Sequence, residues 1–202
     1  MTARATTAHV GVLALQGDFR EHIAMLEQLG VVASEVRTAE ELDAVDALVI
    51  PGGESTTIGR LAKIYGLIEP LRDRIEGGMP TLGTCAGMIF LAAATTGHVQ
   101  PQLGVLDVVV ERNAFGRQVD SFEADLDVAG LGAPMHAVFI RAPWIHKIGH
   151  GVDVLTTVTE PATGREHAVF VRQGNILAIS FHPELTSDTR VHEMLLSMLE
   201  ER

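Results

Sequence analysis

The chain has 202 residues, 47% of them hydrophobic, with 15 Lys and Arg against 26 Asp and Glu, a formal charge of −11. That length and apolar content suit a globular domain with a substantial core and exclude a disordered chain. The acidic balance repels phosphate backbones and anionic lipid, so neither nucleic acid nor a membrane is an expected partner.

Residues 1–8 are small and polar with a single Arg4 and are expected to be a flexible N-terminus. They lack the apolar stretch of a signal peptide, which points to a cytoplasmic protein. Residues 9–15 form an apolar run of strand length ended by Gln16-Gly17, and residues 19–29 carry Ile23, Leu26 and Leu29 at helical spacing before Gly30. Strands are predicted over 31–36 and 47–50, the latter running into Pro51-Gly52-Gly53-Glu54-Ser55. Helices are predicted over 57–65 and 68–75, a strand over 80–84 and a helix over 86–94. Apolar strands alternating with helices indicate a parallel sheet covered on both faces.

The second half reads differently. Residues 104–110, 121–128, 137–140 and 152–158 are strand-like with short turns. Residues 168–171 and 176–181 flank a hairpin turn at Arg172-Gln173-Gly174-Asn175, and 188–201 form a terminal amphipathic helix. The expected fold is α/β: three layers, a mostly parallel central sheet, and an antiparallel extension in the second half. No repeat or linker divides the chain, so residues 1–202 are expected to form one domain.

The one cysteine, Cys85, lies in Gly83-Thr84-Cys85-Ala86-Gly87 between the predicted strand and helix. This is the glycine-flanked pattern of a nucleophile elbow, in which a sharp strand-to-helix turn lifts the side chain off the sheet. The helix that follows would favour thiolate at its N-terminus. A lone cysteine is also a common apolar filler, so the reading depends on the rest of a thiol site. A single cysteine precludes an internal disulfide and fits a reducing compartment.

His182-Pro183-Glu184 supplies a base and a group to orient it. In extended chain, residues two apart project to the same side, and Pro183 biases His182 away from helix. Two readings fit Pro51-Gly52-Gly53-Glu54-Ser55: an oxyanion loop acting with the Ala86 N–H, or an ordinary turn with Ser55 as helix N-cap. Both can hold. The nine histidines suggest no metal site: His146, His150 and His192 lack ligand spacing, His192-Glu193 lacks the second His of a zinc motif, and all three read as solvated.

The three motifs together resemble those of the class I, or triad, glutamine amidotransferases. Further segments narrow the likeness: Leu15-Gln16-Gly17 with Arg20-Glu21-His22, then Glu111-Arg112-Asn113-Ala114-Phe115-Gly116-Arg117-Gln118 and Asp120-Ser121-Phe122-Glu123-Ala124. Phe139-Ile140-Arg141-Ala142-Pro143 and Ser180-Phe181-His182-Pro183-Glu184-Leu185-Thr186 complete it. The whole resembles the glutaminase subunit of pyridoxal 5′-phosphate synthase, the PdxT/SNO family, from about Val10 to the last helix.

The resemblance implies a flavodoxin-like class I amidotransferase domain with the triad on Cys85, His182 and Glu184. It also implies L-glutamine contacts at Gly53, Glu54, Ser55, Arg112, Ile140 and Arg141, and oxyanion donors at Gly53 and Ala86. An arginine fork suits the glutamine carboxylate and a glutamate its ammonium. No cofactor or metal is expected in this chain. The implied partner is a (β/α)₈ barrel synthase subunit, in a large hetero-oligomer, that receives the ammonia. Alternatives are a glutaminase of another ammonia-channelling synthase, a γ-glutamyl hydrolase, or a non-catalytic regulatory subunit of the same complex.

Overall fold

A computed structural model describes residues 8–97, 99–112, 121–160 and 164–201. The expectations for residues 1–7 and for 113–120, within the family-like segment, lie outside the described residues. The elements in order are β1 (His9–Leu13), α1 (Phe19–Gln28), β2 (Val32–Val36), α2 (Ala39–Asp43), β3 (Ala47–Ile50), α3 (Ser55–Ile64) and α4 (Ile68–Glu76). Then come β4 (Thr81–Thr84), α5 (Ala86–Leu91), β5 (Ala92–Thr95), β6 (Leu106–Glu111), β7 (Ser121–Leu126) and β8 (Met135–Ile140). The chain closes with β9 (Trp144–Ile148), β10 (Asp153–Thr159), β11 (Glu166–Gln173), β12 (Ile176–Ile179), a 3₁₀ turn (Pro183–Leu185) and α6 (Arg190–Glu200).

Seven strands form the central sheet in the order β10-β11-β12-β4-β3-β1-β2. The pairings from β2 through β1, β3 and β4 to β12 are parallel, whereas β12–β11 and β11–β10 are antiparallel. The mostly parallel sheet with its antiparallel extension is as the sequence indicates. Buried strands alternate their apolar residues between two cores. In β3, Leu48 and Ile50 join one cluster while Ala47 and Val49 join the other, and in β12 Ile176 and Ala178 oppose Leu177 and Ile179. This two-sided burial is why both strands read as unbroken apolar runs. α3, α4 and α5 cover one face, through residues such as Ile58, Leu71 and Met88. α1, α6 and the β7–β8 hairpin cover the other, with Leu26, Leu195 and Phe139. No helix among the described residues is long and apolar enough to cross a membrane.

Three elements depart from the sequence reading. α2 is an unforeseen short helix held by a capping box in which Thr38 accepts from the Glu41 N–H and Glu41 reaches back to the Thr38 N–H. The helix predicted over 86–94 stops at Leu91, because Ala92, Ala94 and Thr95 pair in parallel with β6 in a separate three-stranded sheet, β5-β6-β9. Alanine favours helix locally, but the tertiary pairing overrides it. β9, also unforeseen, completes that sheet antiparallel to β6.

Candidate active site

The carboxyl ends of β1, β3 and β4 open together, as expected of a parallel sheet whose ligand crevice lies there. A cleft of about 370 Å³ at this edge is lined by Gln16, Asp18, Gly53, Glu54, Ser55, Cys85, Ala86, Ile89, Arg112, Ile140, Arg141 and His182. Every residue assigned to the site from sequence is there except Glu184, which is buried behind His182.

Cys85 joins β4 to α5 at φ 47° and ψ −102°, a conformation rare for a side-chain-bearing residue. Its N–H donates to Ile179 O of β12 at 2.8 Å, so the turn is anchored on the neighbouring strand. Gly87 allows α5 to start so close to the sheet, since a Cβ there would collide with the Ile50 carbonyl. The elbow is thus built as its glycines imply, and the thiol residue is 7% exposed at the cleft floor.

His182 leaves the end of β12, with its N–H donating to Val138 O of β8 at 2.9 Å. Its ring donates from Nδ1 to Glu184 Oε1 at 2.6 Å and lines the cleft together with Cys85. The pair does not arise from extended chain. Pro183–Leu185 is a single 3₁₀ turn, and that turn folds the Glu184 carboxylate back under the imidazole. Burial alone would depress the His182 pKa. Hydrogen bonds and charge from Cys85 and Glu184 overcome it and push the group up to about 10. At neutral pH the ring is therefore an imidazolium beside the sulfur.

Asp18 Oδ2 lies 3.7 Å from His182 Nδ1, and one donor atom each of Asp18, His182 and Glu184 falls within 4.8 Å of the others. The spacing could suit a cation. The short Nδ1–Oε1 hydrogen bond commits His182 and Glu184 to each other, an arrangement that can orient an imidazole as a triad requires.

Glu54, rather than Ser55, is the N-cap of α3. Its carboxylate accepts from the Thr56 and Thr57 N–H groups at 3.1 and 2.7 Å and from Thr57 Oγ1 at 2.8 Å. Partial burial would raise its pKa, but these donors lower it to about 2. Arg112 donates to Glu54 at 3.0 Å, to Thr56 Oγ1 at 3.0 Å and to Gln100 Oε1 at 2.8 Å. Arg112 thus spans the loop and the cleft wall. Gln16 Oε1 accepts the Glu54 N–H at 2.6 Å, and Gly53 beside it has φ +146°, which only glycine tolerates. Arg141 also has a positive φ, 43°. Sequence reasoning misses Gln16, Asp18 and Gln100 as site residues. Gln16 is visible within Leu15-Gln16-Gly17, whereas Gln100 lies in a segment with no motif.

The solvated reading of His192 is wrong. His22 on α1 and His192 on α6 are both fully buried, with His22 Nδ1 2.9 Å from His192 Nε2. Burial, then the charges of His192 and His182, hold the His22 pKa well below its ordinary value, and burial holds His192 down to about 4. The unfolded chain takes up these protons near pH 6.5, whereas native His192 does so only near 4. The contribution of this buried pair to stability is therefore complete above about pH 6.5 and falls toward pH 4, by about 3 kcal/mol from His192 alone. Urea denaturation across that range is expected to show the loss, and His192→Leu is expected to flatten it.

A three-layer sheet with an elbow cysteine and a His–Glu pair at the adjoining strand end defines the class I glutamine amidotransferase type. PurLQS from Thermotoga maritima shares the fold, with TM-score 0.73 at 18% identity, over 96% of this chain and 100% of that one. The chain belongs to the SNO glutamine amidotransferase family, whose model matches residues 12–201. A crystal structure of a glutamine amidotransferase is 54% identical with TM-score 0.88, covering 95% of this chain and 98% of that one. The pyridoxal 5′-phosphate synthase subunit PdxT of Mycolicibacterium smegmatis is 56% identical over 198 residues, 96% of this chain and 100% of the relative. The PdxT of Thermus thermophilus is 57% identical over 191 residues, 94% and 96% of the two chains.

Proposed function

We propose that this chain hydrolyses L-glutamine to L-glutamate and ammonia through Cys85, His182 and Glu184, and hands the ammonia to the barrel subunit of pyridoxal 5′-phosphate synthase. The observation that carries the reading is the His182 ring, fixed by Glu184 at 2.6 Å and lining one cleft with the sole cysteine on its strained elbow. Family membership supplies the substrate class, and the names of the close relatives supply the synthase.

The thiolate attacks the side-chain amide carbon, and the oxyanion that forms is met by the Gly53 and Ala86 N–H groups. His182, already protonated, gives its proton to the departing nitrogen as the C–N bond breaks, leaving a glutamyl thioester and free ammonia. Now neutral, the ring takes a proton from water as its oxygen attacks the thioester. Collapse of this second adduct breaks the C–S bond, expels the Cys85 thiolate and frees glutamate, with the ring again an imidazolium. Glu184 keeps the ring in one tautomer through both steps. The α-carboxylate and α-ammonium of glutamine are assigned to the Gly53-Glu54-Ser55 loop with Arg112, and to Ile140-Arg141. Ammonia released to bulk water would become ammonium and lose its nucleophilicity, so a covered route into the synthase is part of the proposal.

Glutamate release, measured with and without the barrel subunit, tests the function together with transfer of amide-¹⁵N from glutamine. Stimulation by the partner and ¹⁵N in the pyridoxal product are expected. Glutamine hydrolysis with no labelled product would assign the chain to another acceptor.

A further inference from the structure

Behind the triad lies a buried relay of polar groups that the hydrolytic mechanism does not use. Glu184 spends Oε1 on His182, and its other oxygen, Oε2, is buried with no well-formed hydrogen bond among the described residues. His22 Nε2 faces that oxygen at 3.4 Å and Thr84 Oγ1 at 3.2 Å. His22 Nδ1 meets His192 Nε2 at 2.9 Å, and His192 Nδ1 has no partner among the described residues. The three histidines of this relay come from three separate elements: α1, α6 and the segment after β12.

The proton positions follow from elimination. A ring nitrogen beside a carboxylate oxygen must present N–H, so His22 Nε2 is the donor and Nδ1 carries the lone pair. That lone pair must receive a proton from His192 Nε2. His192 Nδ1 is then left with a lone pair, which costs less unpaired than a buried N–H would. The opposite arrangement sets a lone pair against the carboxylate and orphans an N–H.

We infer that His22 is a positioning residue for the triad, its Nε2–H shared between Glu184 Oε2 and Thr84 Oγ1, and that His192 fixes the His22 tautomer. Each carboxylate oxygen of Glu184 then has one imidazole donor, and the carboxylate cannot rotate away from His182. The depressed pKa values of His22 and His192 agree, since both rings stay neutral and cannot compete with His182 for the carboxylate as cations. The inference rests on the triad assigned above.

The groups facing Glu184 are His182 on its own segment, His22 on α1 with His192 of α6 behind it, and Asp18, whose Oδ2 lies 3.7 Å from the same His182 Nδ1, with Cys85 in the cleft beyond. Of these, His22 is the one whose removal strips a donor from Oε2. The test uses the full chain with its synthase partner for glutamate release, and alkylation of the sole cysteine by iodoacetamide across pH. His22→Leu is expected to lower kcat by roughly tenfold to a hundredfold with KM little changed, the scale seen when a group supporting a directly acting residue is removed. The acid limb of the alkylation profile is expected to rise by about half a pH unit or more, because a carboxylate without its second donor protonates more readily.

His22→Gln, whose amide N–H reaches the same oxygen, is expected to restore most of both, and His192→Leu to fall between. Should His22→Leu not fold, the Gln variant set against His192→Leu carries the same test. A His22→Leu or His192→Leu enzyme with wild-type kcat and an unshifted alkylation limb would overturn the inference. So would loss of melting temperature alone. Full turnover by Cys85→Ala would instead overturn the triad itself.

Discussion

Replacing Cys85 with alanine is expected to lower glutamate release by roughly a millionfold, the scale of removing the nucleophile from a triad. The substitution keeps the Cβ, so the backbone at φ 47° is no more strained than before, and it removes one atom from the cleft floor. The fold and the docking of the partner should therefore survive, and thermal unfolding with co-purification checks both. Cys85 is the chain's only cysteine, so no second thiol can supply residual turnover. Near-normal hydrolysis by the variant would remove the thioester route outright.

His182→Asn should be almost as severe, a loss of about four to six orders of magnitude in kcat. The asparagine amide can still donate toward Glu184, so packing is largely kept, but no titrating nitrogen remains at the sulfur. The pH behaviour distinguishes the two enzymes. In the wild type the ring is held up to about 10, so the proton for the leaving ammonia is present through neutral pH and is lost only as pH rises through that value. The same sign governs stability: the favourable pairing is complete below the unfolded value near 6.5 and disappears as pH climbs through about 10. His182→Asn should lose this alkaline limb of kcat. A variant retaining the limb and most of its turnover would make another residue the base.

The sheet is legible in the sequence because its strands are buried on both faces and carry little else. The elbow is legible because few residues tolerate that turn. What escapes are features decided by distant pairing. Ala92 to Ala94 read as helix because nothing local announces their pairing with β6, whose Leu106 is the register partner of Ala92. The His182–Glu184 contact is foreseen but assigned to extended chain, since Pro183 is compatible with either an extended dipeptide or the first position of a helical turn. The buried histidines do leave a signal. His22 shares its helix face with Met25 and Leu26, and His192 shares its own with Leu195 and Met198, so both occupy apolar stripes. Composition marks histidine as polar, and only the fold brings the two stripes together.

Among the described residues, two non-glycine positions have positive φ, and both line the cleft: Cys85 and Arg141. Such backbones cost of order 1–3 kcal/mol each and persist only where surrounding structure enforces them. A population of these chains selected for folding alone would drift toward glycine at both places and lose the thiol on the way. The cleft is thus where this chain works against its own stability, and persistence of Cys85 in a lineage would itself record that hydrolysis is still under selection.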